Sequence, residues 1–97
     1  MTRTDTYWVY ILASRKYGTL CIGVTNALPK RLEQHRSGRG SEFVKKYGVF
    51  LLVHAEAFAS PQEAIAREKQ LKNWRRDWKI QLIEKDNPGW SDLSHLL

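Results

Sequence analysis

The stretch CIGVTNALPKRLEQH, residues 21–35, decides the fold because it changes from strand to helix. Its first part is rich in β-branched and other apolar side chains, which is typical of a strand. Its second part places four residues at the spacing i, i+3, i+4 and i+7, which predicts a core-facing helical stripe: Leu28, Arg31, Leu32 and His35. An arginine and a histidine on such a stripe need partners, because burying unpaired polar groups is costly, and a phosphate would satisfy both.

The rest of the sequence predicts a small α+β domain. Strands are predicted over residues 7–13, 19–25 and 49–58, and helices over about 28–37, 41–48, 61–73 and 75–85. Asn26 is the expected N-cap of the first helix, and Ser60 with Glu63 resembles a capping box for the third. The sequence leaves open whether residues 61–85 form one bent helix or two. A hairpin followed by a separate third strand predicts a three-stranded, mainly antiparallel sheet flanked by helices, in a single domain over residues 1–97.

The charge of the chain favours a polyanionic partner. The sequence carries 16 Lys and Arg against 10 Asp and Glu, a net charge of +6. The excess is concentrated in residues 30–46 and 69–79, which favours nucleic acid over two merely solvated basic faces. A membrane surface is disfavoured as partner, because these segments lack a broad apolar face.

Composition also argues against other classes of protein. One cysteine excludes an intramolecular disulfide and a cysteine-based zinc site. The N-terminal sequence contains no long apolar run, so neither a signal peptide nor a membrane span is expected, and the expected location is the cytoplasm.

Three further residues are candidates for chemistry. Tyr10 lies in the middle of the first strand, where a buried hydroxyl needs a hydrogen-bond partner, although its position alone is that of a core residue. Gly23, within the second strand, allows close approach by a ligand or another element, or marks a bulge. Glu68 falls on the core-facing side of its helix, so its carboxylate is expected to bind a metal, to pair with Arg31 or to reach water.

An ordered set of motifs resembles the GIY-YIG nuclease superfamily. The set begins with two strand motifs and continues through a turn into two helices: Val9-Tyr10, Ile22-Gly23, Thr25-Asn26, Leu28, Arg31-Leu32, His35 and Glu68. Residues 64–84 and 87–93 resemble more specifically the small single-domain bacterial members. No single motif is specific, but their order is, and the resemblance runs from about residue 7 to residue 93.

This resemblance implies a metal-dependent phosphodiesterase. Glu68 would hold one Mg²⁺ or Mn²⁺, which would polarise a phosphate oxygen and stabilise the departing one. Arg31 would clamp a phosphate oxygen, and Tyr10 would hold or deprotonate the attacking water. His35 would orient Tyr10 or bond the phosphate. The flanking nucleic-acid backbone is assigned to four basic side chains: Arg36, Arg39, Lys45 and Lys46.

Two positions depart from the family pattern. Trp8 replaces the leading glycine of the first motif, where little catalytic consequence is expected. Cys21 replaces the tyrosine of the second motif, and a thiol is too short to reach where a phenol would. Cys21 is better explained as a small packing residue than as a nucleophile, which would need a partner histidine and a depressed pKa. Whether Tyr17 substitutes for the missing tyrosine is left open, and Asn87 matches a polar residue found late in some members.

The first functional hypothesis is therefore a Mg²⁺- or Mn²⁺-dependent endonuclease of DNA, structure-specific in repair or recombination. The second is a nucleic-acid-binding module on the same scaffold, with catalysis weakened or lost through Cys21. A third is a protein-interaction domain whose basic faces meet acidic partners. DNA is favoured over RNA as the partner, and the substrate itself is not readable from the sequence.

Overall fold

Strands and helices follow one another in the predicted order. The structure, a computed structural model, describes residues 6–38 and 42–97. The strands are β1 (Tyr7–Ala13), β2 (Leu20–Thr25) and β3 (Leu51–Phe58). The helices are α1 (Leu28–Arg36), α2 (Glu42–Tyr47), α3 (Pro61–Asn73) and α4 (Arg76–Asp86), followed by a 3-10 helix at Leu93–Leu96. The predicted α+β class is confirmed.

The strands form one antiparallel sheet in the order β2-β1-β3. The strand β1 lies at the centre of the sheet, and helices pack against both of its faces, which explains the continuous apolar run of residues 7–13. Within this sheet Tyr10 pairs with Gly23 of β2 on one side and with Ala55 of β3 on the other.

Helices cover both faces of the sheet and create two separate cores. On one face, Val9 and Ile11 pack with Leu71 of α3 and Ile83 of α4. On the opposite face lie Tyr10 and Leu12, together with side chains from α1 and α2: Leu28, Leu32 and Val44. The alternation of side chains along β1 therefore separates the two cores, and Tyr10 belongs to the α1 side.

The helix ends show which local predictions succeed. The expected Asn26 cap is wrong: Ala27 precedes α1 without a side-chain cap, and its N–H donates to Thr25 Oγ1 instead, at 3.1 Å. At α3 the Ser60 half of the predicted capping box is confirmed, since the N–H of Glu63 donates to Ser60 Oγ at 3.2 Å. The open question about residues 61–85 is also answered, because Trp74 and Arg75 are extended (ψ 150° and 151°) and separate α3 from α4.

Within the described residues, no helix is long and apolar enough to cross a membrane.

Candidate functional site

Tyr10 lies directly over Gly23 of the neighbouring strand. A Cβ atom built on Gly23 would overlap the hydroxyl and ring of Tyr10. The strand pairing of β1 and β2 is regular at this point, so Gly23 marks close approach by another element rather than a bulge. The glycine therefore creates the space in which the phenol lies.

The first helix brings His35 to the same phenol. The hydroxyl of Tyr10 lies 3.4 Å from His35 Nε2, and the two side chains are 3% and 6% exposed. Either group can be the donor, depending on the tautomer of the imidazole. In the described part of the chain, His35 Nδ1 is a buried polar atom without a hydrogen-bond partner. Such an atom is unfavourable for stability, which is typical of a residue retained for function.

Arg31 lies at the rim of the site rather than inside the core. Leu28, Leu32 and His35 are buried as predicted, but the side chain of Arg31 is exposed, so its expected place on the buried stripe is wrong. It remains close enough to Tyr10 for its positive charge to oppose the rise in the phenol pKa that burial causes. An exposed guanidinium beside a buried phenol is accessible to a ligand from solvent.

Glu68 belongs to α3, which packs on the other face of the sheet and contacts both β1 and β2, and its charge acts on Tyr10 and Cys21. Its side chain is 17% exposed, and its Oε1 lies 3.7 Å from Lys72 Nζ. In the described residues the ion-pair partner of Glu68 is thus Lys72, not Arg31. Sequence reasoning missed Lys72, although its i, i+4 spacing from Glu68 was a signal that could have found it.

The surroundings of Tyr10 and His35 favour the neutral form of both. Burial raises the pKa of Tyr10; Arg31 opposes this shift, while Cys21 and Glu68 reinforce it. Burial also lowers the pKa of His35, and the positive charge of Arg31 lowers it further. At neutral pH the site therefore holds a protonated phenol in contact with an unprotonated imidazole.

Cys21 has the properties of a packing residue. It is half-buried against the core on the α1 side. Burial raises the pKa of its thiol; Lys72 opposes this shift and Glu68 adds to it. A reactive cysteine needs the opposite shift, so the structure favours the packing interpretation over a nucleophile.

Tyr17 does not take the place of the missing second tyrosine in this conformation. Its hydroxyl donates to Glu84 of α4 at 3.0 Å, and its ring contacts Trp90 edge-on at 5.4 Å between centroids. The Tyr17 phenol is therefore bonded to α4 and not to the residues around Tyr10.

The predicted backbone-binding residues fall into three situations. Lys45 and Lys46 are exposed on α2, as a contact with phosphates requires. Arg36 instead donates to Asp92 at 3.0 Å and to the carbonyl of Phe50 at 3.0 Å, which fastens α1 to the C-terminal segment. Arg39 lies outside the described residues.

Asn87 follows the last residue of α4 and is buried. Its amide nitrogen donates to the carbonyls of Val53 and Ser91, and its amide oxygen accepts from the N–H of Ser91, all at 3.0–3.1 Å. These hydrogen bonds use both polar atoms of the Asn87 side chain and connect the end of α4 to β3. The role of Asn87 in this structure is therefore structural.

The donor set fits a divalent ion that takes most of its ligands from water and substrate. Among residues 6–38 and 42–97, no group of three or more His, Cys, Asp and Glu side chains is placed to hold a metal. This excludes an all-protein cage made from those residues. A single half-buried carboxylate fits Mg²⁺ or Mn²⁺, which prefer oxygen ligands and keep water and substrate phosphate in most positions.

Comparison with known proteins identifies the family. The model of the GIY-YIG catalytic domain matches residues 6–81. A UPF0213 protein of Staphylococcus haemolyticus is 33% identical over 81% of this chain and 95% of its own length. A UPF0213 protein of Clostridium perfringens is 40% identical over 78% of this chain and 81% of its own.

A solved structure supports the same assignment. The solution NMR structure of a UPF0213 protein from Bacillus halodurans has a TM-score of 0.57 to this chain and is 32% identical to it. The alignment covers 94% of this chain and 96% of that one. The chain therefore belongs to the GIY-YIG family, and this membership implies nuclease activity on a nucleic acid, in a family that generally uses divalent metal ions.

Proposed function

We propose that the protein is a divalent-metal-dependent endonuclease that hydrolyses phosphodiester bonds in DNA, with branched or damaged DNA of repair or recombination as its expected substrate. The observation that supports this most strongly is the buried contact of Tyr10 with His35 at 3.4 Å, with the charges of Arg31 and Glu68 both acting on the Tyr10 phenol. Each contributes a property that hydrolysis of a phosphodiester requires.

Tyr10 and His35 act on the attacking water. The Tyr10 oxygen accepts a proton from the water while its own proton passes to His35 Nε2, which lies 3.4 Å away. The lowered pKa of His35 keeps the imidazole unprotonated and ready to accept at neutral pH. Because the pKa of Tyr10 is raised, the phenol on its own is a weak source of phenolate, so the histidine is needed as proton acceptor.

Arg31 binds the scissile phosphate at the rim. Its exposed guanidinium presents a planar set of N–H donors, which can bond two non-bridging phosphate oxygens at once. Its positive charge also stabilises the negative charge that accumulates during in-line displacement.

Glu68 is the residue that would hold the metal. When bound, Mg²⁺ or Mn²⁺ supplies Lewis acidity at the phosphate and stabilisation of the leaving oxygen. The separation of 3.7 Å between Glu68 and Lys72 is longer than a good charge-assisted hydrogen bond, so the carboxylate remains available as a ligand. Lys72, 55% exposed, can turn towards the nucleic-acid backbone.

The Glu68→Ala variant tests the proposal. It is expected to abolish cleavage with Mg²⁺ or Mn²⁺ on the best of a panel of linear, nicked and branched DNAs and RNAs, while DNA binding measured without divalent ion is retained. Loss of a catalytic group of this kind typically reduces the rate by about 10²–10³. Glu63→Ala is the matched control, because Glu63 is an exposed glutamate of the same helix and its capping N–H survives the substitution.

Two results would contradict the proposal. One is equal metal-dependent cleavage by wild type and Glu68→Ala. The other is equal loss of activity in Glu68→Ala and Glu63→Ala, which would place the effect in the stability of α3 rather than in metal binding.

A second candidate function is a nucleic-acid-binding module with weak or lost catalysis. The specific observation in its favour is that the second motif carries a half-buried thiol of raised pKa, while the hydroxyl of Tyr17 is bonded to Glu84. This candidate predicts salt-sensitive nucleic-acid binding without cleavage under any divalent ion.

A further inference from the structure

The start of α4 presents a large aromatic surface to solvent. Trp78 is 45% exposed, and its ring meets that of Trp74 edge-on at 6.1 Å between centroids. Together they form one wall of an open groove of about 450 Å³ whose lining also includes Gln81, Leu82 and Lys85. Tryptophan seldom remains this exposed without a reason, because it has more apolar area to bury than any other side chain.

Cations surround this aromatic surface. The guanidinium of Arg75 lies 5.5 Å from the centre of the Trp78 ring, and that of Arg67 lies 5.0 Å from the centre of Trp74. Arg75 is paired with Asp77 at 3.3 Å, but the two side chains are 70% and 55% exposed, so the pair is weak and readily exchanged for a phosphate.

Basic side chains continue from this surface to the candidate site. Lys79, next to Trp78 in the chain, places its Nζ 3.5 Å from the carbonyl of Lys72, and Lys72 in turn pairs with Glu68. In the described chain, Lys79 and Lys85 pair with no carboxylate. A polyanion that contacts Lys72 would therefore meet further positive charge towards α4.

We propose that Trp78, with Arg75 above its ring, is a stacking platform for an unpaired base of a single strand that leads away from the candidate site. The inference rests on the proposed function in taking the partner to be a nucleic acid. Exposed aromatic rings bind bases of any identity through their faces, and neighbouring cations hold the phosphates on either side. The positive surroundings favour nucleic acid over an apolar protein surface, because an apolar partner would leave these basic side chains without opposite charges.

The experiment compares Trp78→Leu with Trp78→Phe, because leucine keeps apolar bulk while phenylalanine keeps an aromatic face. Binding is measured without divalent ion, by fluorescence anisotropy, for three labelled DNAs of about 20 nucleotides: a single strand, a blunt duplex, and a strand built entirely of abasic spacers. Leu96→Ala is the control, since Leu96 is 72% exposed and lies in the C-terminal 3-10 helix. Thermal unfolding of each variant verifies the fold.

Trp78→Leu is expected to weaken binding of the single strand about tenfold, whereas Trp78→Phe stays within about twofold of wild type. The blunt duplex and the abasic strand should bind all variants alike, because they offer no unpaired base. Unchanged single-strand binding by Trp78→Leu would overturn the inference, as would equal weakening for all three DNAs.

Binding that depends on Trp78 in a protein that cleaves nothing would support the platform and contradict the nuclease proposal. Cleavage by a protein whose binding does not depend on Trp78 would support the nuclease proposal and contradict the platform.

Discussion

At the scale of single residues, the site depends on a large side chain at Tyr10 and the absence of one at Gly23. A glycine inside a strand indicated either close approach to the backbone by a ligand or another element, or a bulge. The sequence could not say what approaches, because the pairing of residue 10 with residue 23 depends on the register of the hairpin. The structure supplies that register and shows the Tyr10 phenol in the space that a side chain would need.

Gly23→Ala therefore tests whether the position of Tyr10 matters. The added methyl group overlaps the phenol, so the phenol must leave the position in which it contacts His35 Nε2. We expect metal-dependent cleavage to fall at least about tenfold, with a destabilisation of about 1–3 kcal/mol from overpacking. Cleavage rates and urea unfolding measure the two effects. Wild-type cleavage in a folded Gly23→Ala protein would show that the observed contact between Tyr10 and His35 is dispensable.

Cys21→Tyr tests the departure in the second motif. Cys21 is half-buried on the same strand face as Gly23 and lies near Glu68 and Lys72, so a phenol there would extend towards the site. If the missing tyrosine limits catalysis, the variant should raise the cleavage rate by about 10²–10³. If wild type cleaves readily and Cys21→Tyr changes nothing, the binding-module candidate is contradicted, since the cysteine then carries no catalytic deficit.

At the scale of elements, the sequence predicted β1, β2 and α1 well, because both strands are rich in β-branched and other apolar residues and the apolar residues of α1 have helical spacing. The separation of α3 from α4 was not predictable, since no glycine or proline marks Trp74 and Arg75. The exposure of Arg31 was not predictable either, because helical spacing alone does not place the edge of a buried stripe. Contacts between distant elements, such as Tyr17 with Glu84, also lie beyond reasoning from local pattern.

A second polar cluster joins β3 to α3 and makes a prediction at this scale. Glu56 accepts hydrogen bonds from Arg67 at 2.9 and 3.2 Å and contacts His54 Nε2 at 2.7 Å. Burial would raise the pKa of Glu56, but Arg67 and His54 together outweigh that effect, so the pKa is lowered. A carboxylate of lowered pKa stabilises the fold at pH values above its unfolded pKa of about 4.3, and this contribution is lost as the pH falls through the folded pKa.

Glu56→Gln should therefore destabilise the protein at pH 7 by about 1–3 kcal/mol and flatten its loss of stability on acidification. The free energy of unfolding in urea, followed from pH 7 down through the folded pKa of Glu56, gives both quantities. Glu63→Gln on the exposed face of α3 is the control. Parallel pH dependence in wild type and Glu56→Gln would contradict the assigned role of the cluster.

At the scale of the whole molecule, the net charge of +6 predicted a polyanionic partner, and family membership implies a nucleic acid. The sequence also predicted the fold class and the central motif residues. It did not show that Arg36 forms an ion pair with Asp92, because a contact between α1 and the C-terminal segment is visible only in the tertiary structure. The basic residues in a sequence therefore overstate the number of side chains free to bind phosphates.

The double variant Lys45→Ala and Lys46→Ala tests the exposed basic face of α2. Phosphate contacts are independent of sequence, so binding to different DNAs should weaken uniformly. The slope of log binding constant against log salt should fall by about 1 for each lysine that contacts a phosphate. Lys16→Ala, in the turn of the hairpin, is the control for loss of charge alone. An unchanged slope in the double variant would remove α2 from the binding surface.

The central claim, that the residues around Tyr10 and Glu68 form a metal-dependent phosphodiesterase site, is tested most directly by single-turnover cleavage of the best panel substrate. The quantity measured is the ratio of the wild-type rate to the Glu68→Ala rate in Mg²⁺ or Mn²⁺. We predict a ratio of at least about 10², with undiminished DNA binding by the variant. A ratio near 1 would contradict the claim.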